Sequence, residues 1–243
     1  MRIIGLIGGM SWESTAVYYR RINELVRVRL GGLHSAEVVM RSVDFAGIVA
    51  LQQADDWDKA CTVLSRIGRE LQNAGAGCVL ICTNTMHKLA DRVQRAIDVP
   101  LIHIVDVTAQ ALEAAGARRP LLLATRYTME QDFYLSRLRD RHGIDAIVPA
   151  QADRTALHDV IFDELCRGIV REKSRRRYID IIERGQSSGA DSVILGCTEI
   201  GLLIGPQHIG LPMFDSTLLH ADAAVAFALG QSASHQAETC ASM

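Results

Sequence analysis

Short apolar runs alternate along this chain with longer stretches of helical period. The runs fall at residues 2–7 (RIIGLI), 36–43 (AEVVMRSV), 78–81 (CVLI), 100–105 (PLIHIV), 120–125 (PLLLAT), 145–148 (DAIV), 192–196 (SVILG) and 211–214 (LPMF). Between them lie helix-like segments such as 13–30 (ESTAVYYRRINELVRVRL) and 57–75 (WDKACTVLSRIGRELQNAG). The second places Ala60, Val63, Leu64, Ile67 and Leu71 on one stripe and stops at a glycine. Continuous apolar strands alternating with amphipathic helices predict an α/β protein whose parallel sheets are covered on both faces.

The pattern repeats once. AGAGCVLI–CTNT (74–85) has a counterpart in SGADSVIL–GCTE (188–199), pairing Gly75 with Gly189, Ala76 with Ala190, Val79 with Val193 and Thr83 with Cys197. A fainter echo links RIIGLIGGM (2–10) to RRPLLLATR (118–126), and VPLIHIVD (99–106) to LPMFDS (211–216). The three matches keep chain order at offsets of about 116, 114 and 112, which predicts two lobes of one topology rather than a solenoid. The expected division is 1–105 with 210–230 for the first lobe, 106–209 for the second, and a frayed tail over 231–243. Within it, the helix expected at 217–230 packs back on the first lobe.

Composition narrows the partners. With 49% apolar and 22% charged residues and a net charge of −2, the 243-residue chain resembles an ordinary soluble protein. That charge argues against a nucleic-acid or anionic-membrane surface as main partner. The one basic cluster, REKSRRRY (171–178), reads as a solvated helix face. The N-terminal apolar run is too short to span a membrane and has no cleavage-site pattern. Six scattered cysteines without a CxxC pair predict reduced thiols in the cytoplasm, not a zinc site or a disulfide framework.

The chemistry concentrates where the repeated strands end. Ligands of parallel α/β sheets bind beyond the carboxyl ends of the strands. A helix starting there offers free amides to an anion and lowers the pKa of a cysteine. Two such lobes in apposition would set Thr83 and Cys197 on opposite sides of a cleft, lined by Asn84, Thr85, Thr198 and Glu199. Two proton-handling groups flanking a small anion are what inversion of a carbon centre requires. Cys82 is expected to be a bystander, because neighbours along a strand point to opposite faces. GLIGGM lacks the spacing of a dinucleotide or phosphate loop, so its glycines are expected to let the backbone approach a small ligand, with Met10 and Ser11 at the lip. Trp12 reads equally well as core. His87, His103, His158 and His220 show no metal-ligand spacing and read as structural.

These motifs carry a resemblance. LIGGMSWESTAVYY, LGGLHSAEVVMRSVDF, CTNTMHK, TRYTMEQDFY and GCTEIGLL together are similar to the cofactor-independent aspartate/glutamate racemases. They most resemble a bacterial branch described as L-aspartate/glutamate-specific or as broad-specificity amino-acid racemases. The resemblance runs from residue 1 to about 230. It implies two flavodoxin-like lobes with the active site in the cleft between them, an amino-acid substrate, neither pyridoxal phosphate nor metal, and a homodimer. The family pattern places a cysteine before Asn-Thr in the first half, where this chain has Thr83. In the branch it resembles that threonine is catalytic, which implies Thr83 and Cys197 as the catalytic pair. The same carry-over implies Met10, Gln52, Asn84, Thr85, Thr125, Thr128, Thr198 and Glu199 as substrate contacts. A lysine that the family often supplies in the second lobe has no match around ELCRG (164–168), where Arg167 stands. Strict specificity for acidic side chains is therefore not implied.

A base works best with its pKa near the operating pH. A thiol ionises far more readily than a threonine hydroxyl, so Cys197 is expected to be the base and Thr83 the opposite-face donor. Two competing readings remain: an arylmalonate-type decarboxylase, which keeps only the second-half cysteine, and an amino-acid-binding protein without catalysis.

Overall fold

The computed structural model describes residues 1–231, so the tail expected over 231–243 lies outside the described residues except for Gln231. The chain forms two compact units, one of Met1–His103 with the chain from His220 onward, the other of Ile104–Leu219. Each is built on a three-stranded parallel sheet flanked by helices. Among the described residues no helix is long and apolar enough to cross a membrane.

In the first unit β1 (Ile4–Gly8), β2 (Val38–Ser42) and β3 (Cys78–Ile81) lie in the order β2-β1-β3. β1 and β3 are buried along their whole length. Alternation sends Ile4, Leu6, Cys78 and Leu80 toward Tyr18, Ile22 and Val26 of the helix Trp12–Leu30, and toward Ala221, Ala224 and Val225. Ile7, Val79 and Ile81 face Ala60, Leu64, Ile67 and Leu71 of the helix Trp57–Asn73. The predicted stripe is thus the buried one, although Val63 at its margin is only partly covered.

In the second unit β4 (Pro120–Ala124), β5 (Ser192–Gly196) and β6 (Met213–Asp215) lie in the order β4-β5-β6. Tyr134, Leu157, Tyr178 and Ile181 from the flanking helices close its core. The helix Glu172–Ser187 buries Tyr178, Ile181 and Ile182 and turns the basic cluster outward, where Arg176 pairs with Glu172 at 3.6 Å.

The internal repeat is a repeat of hydrogen-bond register. Val79 pairs with Gly5 on one edge and Leu101 on the other. Val193 pairs in the same way with Leu121 and Met213. Val79 N donates to Pro100 O (2.9 Å), and Val193 N to Pro212 O (2.8 Å). The edge partners correspond too, since Ile147 bridges to Leu121 on the side where β2 pairs with β1. Gly75 and Gly189, the first matched pair, have φ of +92° and +94°. They turn the chain from a helix toward β3 and β5, in a conformation that L side chains rarely tolerate.

Three expectations change. The runs 100–105 and 145–148 are not full strands: each makes a single bridge, at Leu101 and Ile147. In the first run the helix Ile104–Ala114 begins at once, and apolarity alone cannot separate a buried strand from a buried helix start. Residues 210–219, expected in the first lobe, belong to the second unit because β6 pairs with β5. The helix Ser216–Ala228 then carries the chain into the first unit, where Arg2 N donates to Ala228 O at 2.9 Å.

A Cβ on Gly75 would sit 3.4 Å from Ile3 Cδ1, so space is not the obstacle there. Gly75→Ala and Gly189→Ala should each cost about 1–2 kcal/mol through the backbone alone, read as a lowered urea midpoint. Equal stability to wild type would contradict the positive φ.

Candidate active site

In the first unit the polar residues gather where β1 and β3 end. After the last paired residues, Ile7 and Ile81, Cys82 N donates to Ile7 O (2.9 Å) and Thr83 N to Ile81 O (2.8 Å). The chain then enters a 3-10 turn, Thr85–Leu89. Thr83 is partly exposed, whereas Asn84 and Thr85 are buried. Gln52, buried on the helix Phe45–Gln53, reaches the same turn through Nε2, 3.1 Å from Met86 Sδ. Met10 lies in the cluster that also holds Met86 and Ile48.

Cys82 faces away. It is fully buried with Cys78, Leu80 and Tyr18, and burial pushes its thiol far above the ordinary value. Its carbonyl accepts from Ser14 Oγ at 3.0 Å, tying the strand end to the first helix.

Gly8 and Gly9 of GLIGGM make room for the protein's own chain. A Cβ on Gly8 would come within 2.5 Å of Thr15, and one on Gly9 within 2.2 Å of Val43 O. Gly9, at φ +89°, donates its N–H to Thr15 Oγ1 (2.8 Å). They let the first helix and the segment after β2 close over the strand end. Met10 is buried, while Trp12 is an exposed side chain and not core.

In the second unit the matching position is the end of β4 and β5, whose last pair is Ala124 with Gly196. Thr125 and Thr128 follow β4, their hydroxyls 3.3 Å apart and buried. Cys197, Thr198 and Glu199 follow β5. Cys197 Sγ donates to Glu199 Oε2 at 3.0 Å, and Thr198 Oγ1 donates to the same oxygen. Cys166 Sγ lies 3.7 Å from the other oxygen, Oε1. Arg167 is exposed and paired with Asp163 at 3.6 Å.

The expected depression of the Cys197 pKa does not hold. The following helix, Ile200–Leu203, has four residues and little dipole to offer. Desolvation and the Glu199 carboxylate beside it instead push the thiol well above its ordinary value.

Three histidines expected to be merely structural form one buried cluster beneath Thr83. His87 and His103 have ring centroids 4.9 Å apart, and His87 and His220 5.4 Å. His87 Nδ1 donates to the Thr83 carbonyl at 2.8 Å. His220 Nε2 donates to Ile102 O and its Nδ1 accepts from Tyr18 OH, both at 2.7 Å. No sequence spacing links positions 87, 103 and 220 or positions 166 and 199. His158, in the second unit, packs against Phe162 and Tyr127. Among the described residues no group of three or more His, Cys, Asp and Glu could hold a metal ion.

Residues 7–224, nearly the whole of both units, match the Asp/Glu/hydantoin racemase family. The chain belongs to that family. A crystal structure from Yersinia pestis assigned to the Asp/Glu racemases is 49% identical, covers 94% of this chain and 100% of its own, and superposes with a TM-score of 0.89. An aspartate racemase homologue from Pyrococcus horikoshii is 32% identical with the same coverage and a TM-score of 0.83. The broad-specificity amino-acid racemase RacX of Bacillus subtilis is 18% identical over 88% of this chain and 93% of its own. The α/β fold with two parallel sheets is therefore the racemase fold.

The histidine cluster yields a pH prediction. Burial, then His87, hold the His220 pKa down at about 3 from an ordinary 6.5, with the bond to Ile102 acting the other way. Between those values the unfolded chain binds a proton that the folded one refuses, so stability falls as pH falls. Urea unfolding between about pH 6 and pH 4 should lose up to about 1.4 kcal/mol per pH unit through this one group. His220→Gln should show a shallower decline, and parallel declines would contradict the neutral assignment.

Proposed function

We propose that the protein is an amino-acid racemase that works without pyridoxal phosphate or metal, acting on aspartate, glutamate or a broader range. In this reading Thr83 and Cys197 act on opposite faces of the substrate α-carbon. Cys197 removes the α-proton and Thr83 delivers one from the other side. The observation that carries it is the repeated register: Thr83 and Cys197 follow equivalent inner strands at equivalent ends. The racemase names of the similar proteins favour the same chemistry.

Met10, Gln52, Asn84 and Thr85 supply substrate contacts from the first lobe, and Thr125, Thr128, Thr198 and Glu199 from the second. The exposure of Arg167 and its pairing with Asp163 leave no built cation at that position for a side-chain carboxylate. This favours a substrate range wider than acidic amino acids. The free cysteines suit a cytoplasmic location, and the homodimer is carried over from the family resemblance alone.

Free enantiomers have equal energy, so kcat/KM must be equal in the two directions. Any apparent preference lies in kcat and KM changing together.

The test is incubation in D2O with both enantiomers of glutamate, aspartate and a neutral panel, with no cofactor added. α-Deuteration accompanied by inversion is expected. Exchange without inversion would refute two-sided transfer, and release of CO2 from a malonate would indicate decarboxylation. Cys197→Ser should lower the exchange rate at least about 100-fold, while Cys82→Ser stays within about threefold of wild type. Equal damage from the two would remove Cys82 from its bystander role.

A further inference from the structure

We propose that Glu199 is the internal proton acceptor for Cys197, the group that converts its thiol into the working thiolate; this rests on the racemase reading above. Glu199 is a positioning and relay residue acting through the cysteine.

The geometry is specific. Cys197 Sγ lies 3.0 Å from Glu199 Oε2, close for a bond from sulfur. The carboxylate is buried, and Thr198 Oγ1 and Cys166 Sγ also point donors at it. Its oxygens are thus held in place, with one directly on the thiol.

Charge decides the route. If Cys197 lost its proton to solvent, a thiolate and a carboxylate would stand side by side in a desolvated site. Moving the proton along the S–H···O line keeps the pair at one negative charge. The S–H bond breaks with its electron pair left on sulfur, and an O–H bond forms at Oε2. The thiolate then takes the substrate α-hydrogen as a proton, the C–H pair remaining on carbon. Thr83 gives its proton to the opposite face. As product leaves, solvent returns a proton to Thr83 and Glu199 releases one to solvent, restoring the resting thiol and carboxylate.

The other groups facing the pair do not supply this acceptor. Tyr178 is held neutral by burial and by the surrounding negative charges, and its hydroxyl donates to Leu157 O at 3.1 Å. Glu164 accepts from Ser174 Oγ at 2.6 Å and pairs with Arg171 at 3.3 Å. Arg175 donates to Leu203 O at 2.8 Å, and Asp215 lies beside Gly201 and caps Thr217 N at 2.9 Å. Cys166 is itself a donor to Glu199.

The first test needs no substrate. Alkylation of wild type by iodoacetamide is followed by mass spectrometry at the Cys197 peptide across about pH 6–9. Internal transfer makes the thiolate fraction independent of pH, so the rate should show a plateau. In Glu199→Gln the thiol can lose its proton only to solvent, and the rate should climb about tenfold per pH unit. The same tenfold climb in wild type would overturn the proposal, and that result stands even if the variant fails to fold.

The second test reads α-deuteration. Glu199→Gln should lower kcat about 100-fold near neutral pH and recover as pH rises. Glu199→Asp should restore part of the neutral rate. A Glu199→Gln profile as flat and fast as wild type would overturn the relay. If wild type deuterates no amino acid, the racemase reading falls while the alkylation profiles still decide the thiol–carboxylate pair.

Discussion

Each unit depends on an inner parallel strand that is hydrogen-bonded on both edges and buried on both faces. β3 sits between β1 and Leu101, and β5 between β4 and β6. Such a strand is apolar along almost all its length, so the functional groups emerge where it stops. Pairing also fixes where that is: Ile7 with Ile81 in one unit, Ala124 with Gly196 in the other. A one-residue slip would exchange the two faces of the strand. It would turn Cys82 outward and bury its neighbour.

The two strand ends are alike in backbone and unlike in environment. Beneath Thr83 lies a cluster of buried histidines, of which His87 and His220 have tautomers set by the Thr83 and Ile102 carbonyls and the Tyr18 hydroxyl. Around Cys197 lie a carboxylate, a second thiol and a hydroxyl. A hydroxyl and a thiol cannot share one proton-transfer role, because their ionisation differs too widely. In the proposed mechanism the carboxylate beside Cys197, which raises the thiol's pKa toward solvent, gives its proton an internal place to go. The internal repeat thus supplies symmetry of position, and the local side chains break the symmetry of chemistry.

Much of this was legible in the sequence. Gly75 and Gly189 announced the turns toward the inner strands, and CVLI and SVILG matched β3 and β5 residue for residue. The Ala60–Leu71 stripe found the buried helix face because its period is that of a helix. The flanking runs at 100–105 and 145–148 were overread as strands, since an apolar run does not say how far pairing continues. The packing role of the GLIGGM glycines was not legible in the sequence. What they make room for, Thr15 and Val43, is separated from them in sequence and adjacent only after folding.

The sequence alone determined the alternation, the repeat and the candidate residues, because these follow from local periodicity and from matching segments along one chain. Tertiary structure alone decided that Cys166 meets Glu199, that His87, His103 and His220 meet, and that β6 completes the second sheet. It also decided the direction of the Cys197 pKa. Burial is the largest cause of that direction, ahead of the Glu199 charge two residues on, and it does not exist until segments separated in sequence are packed together.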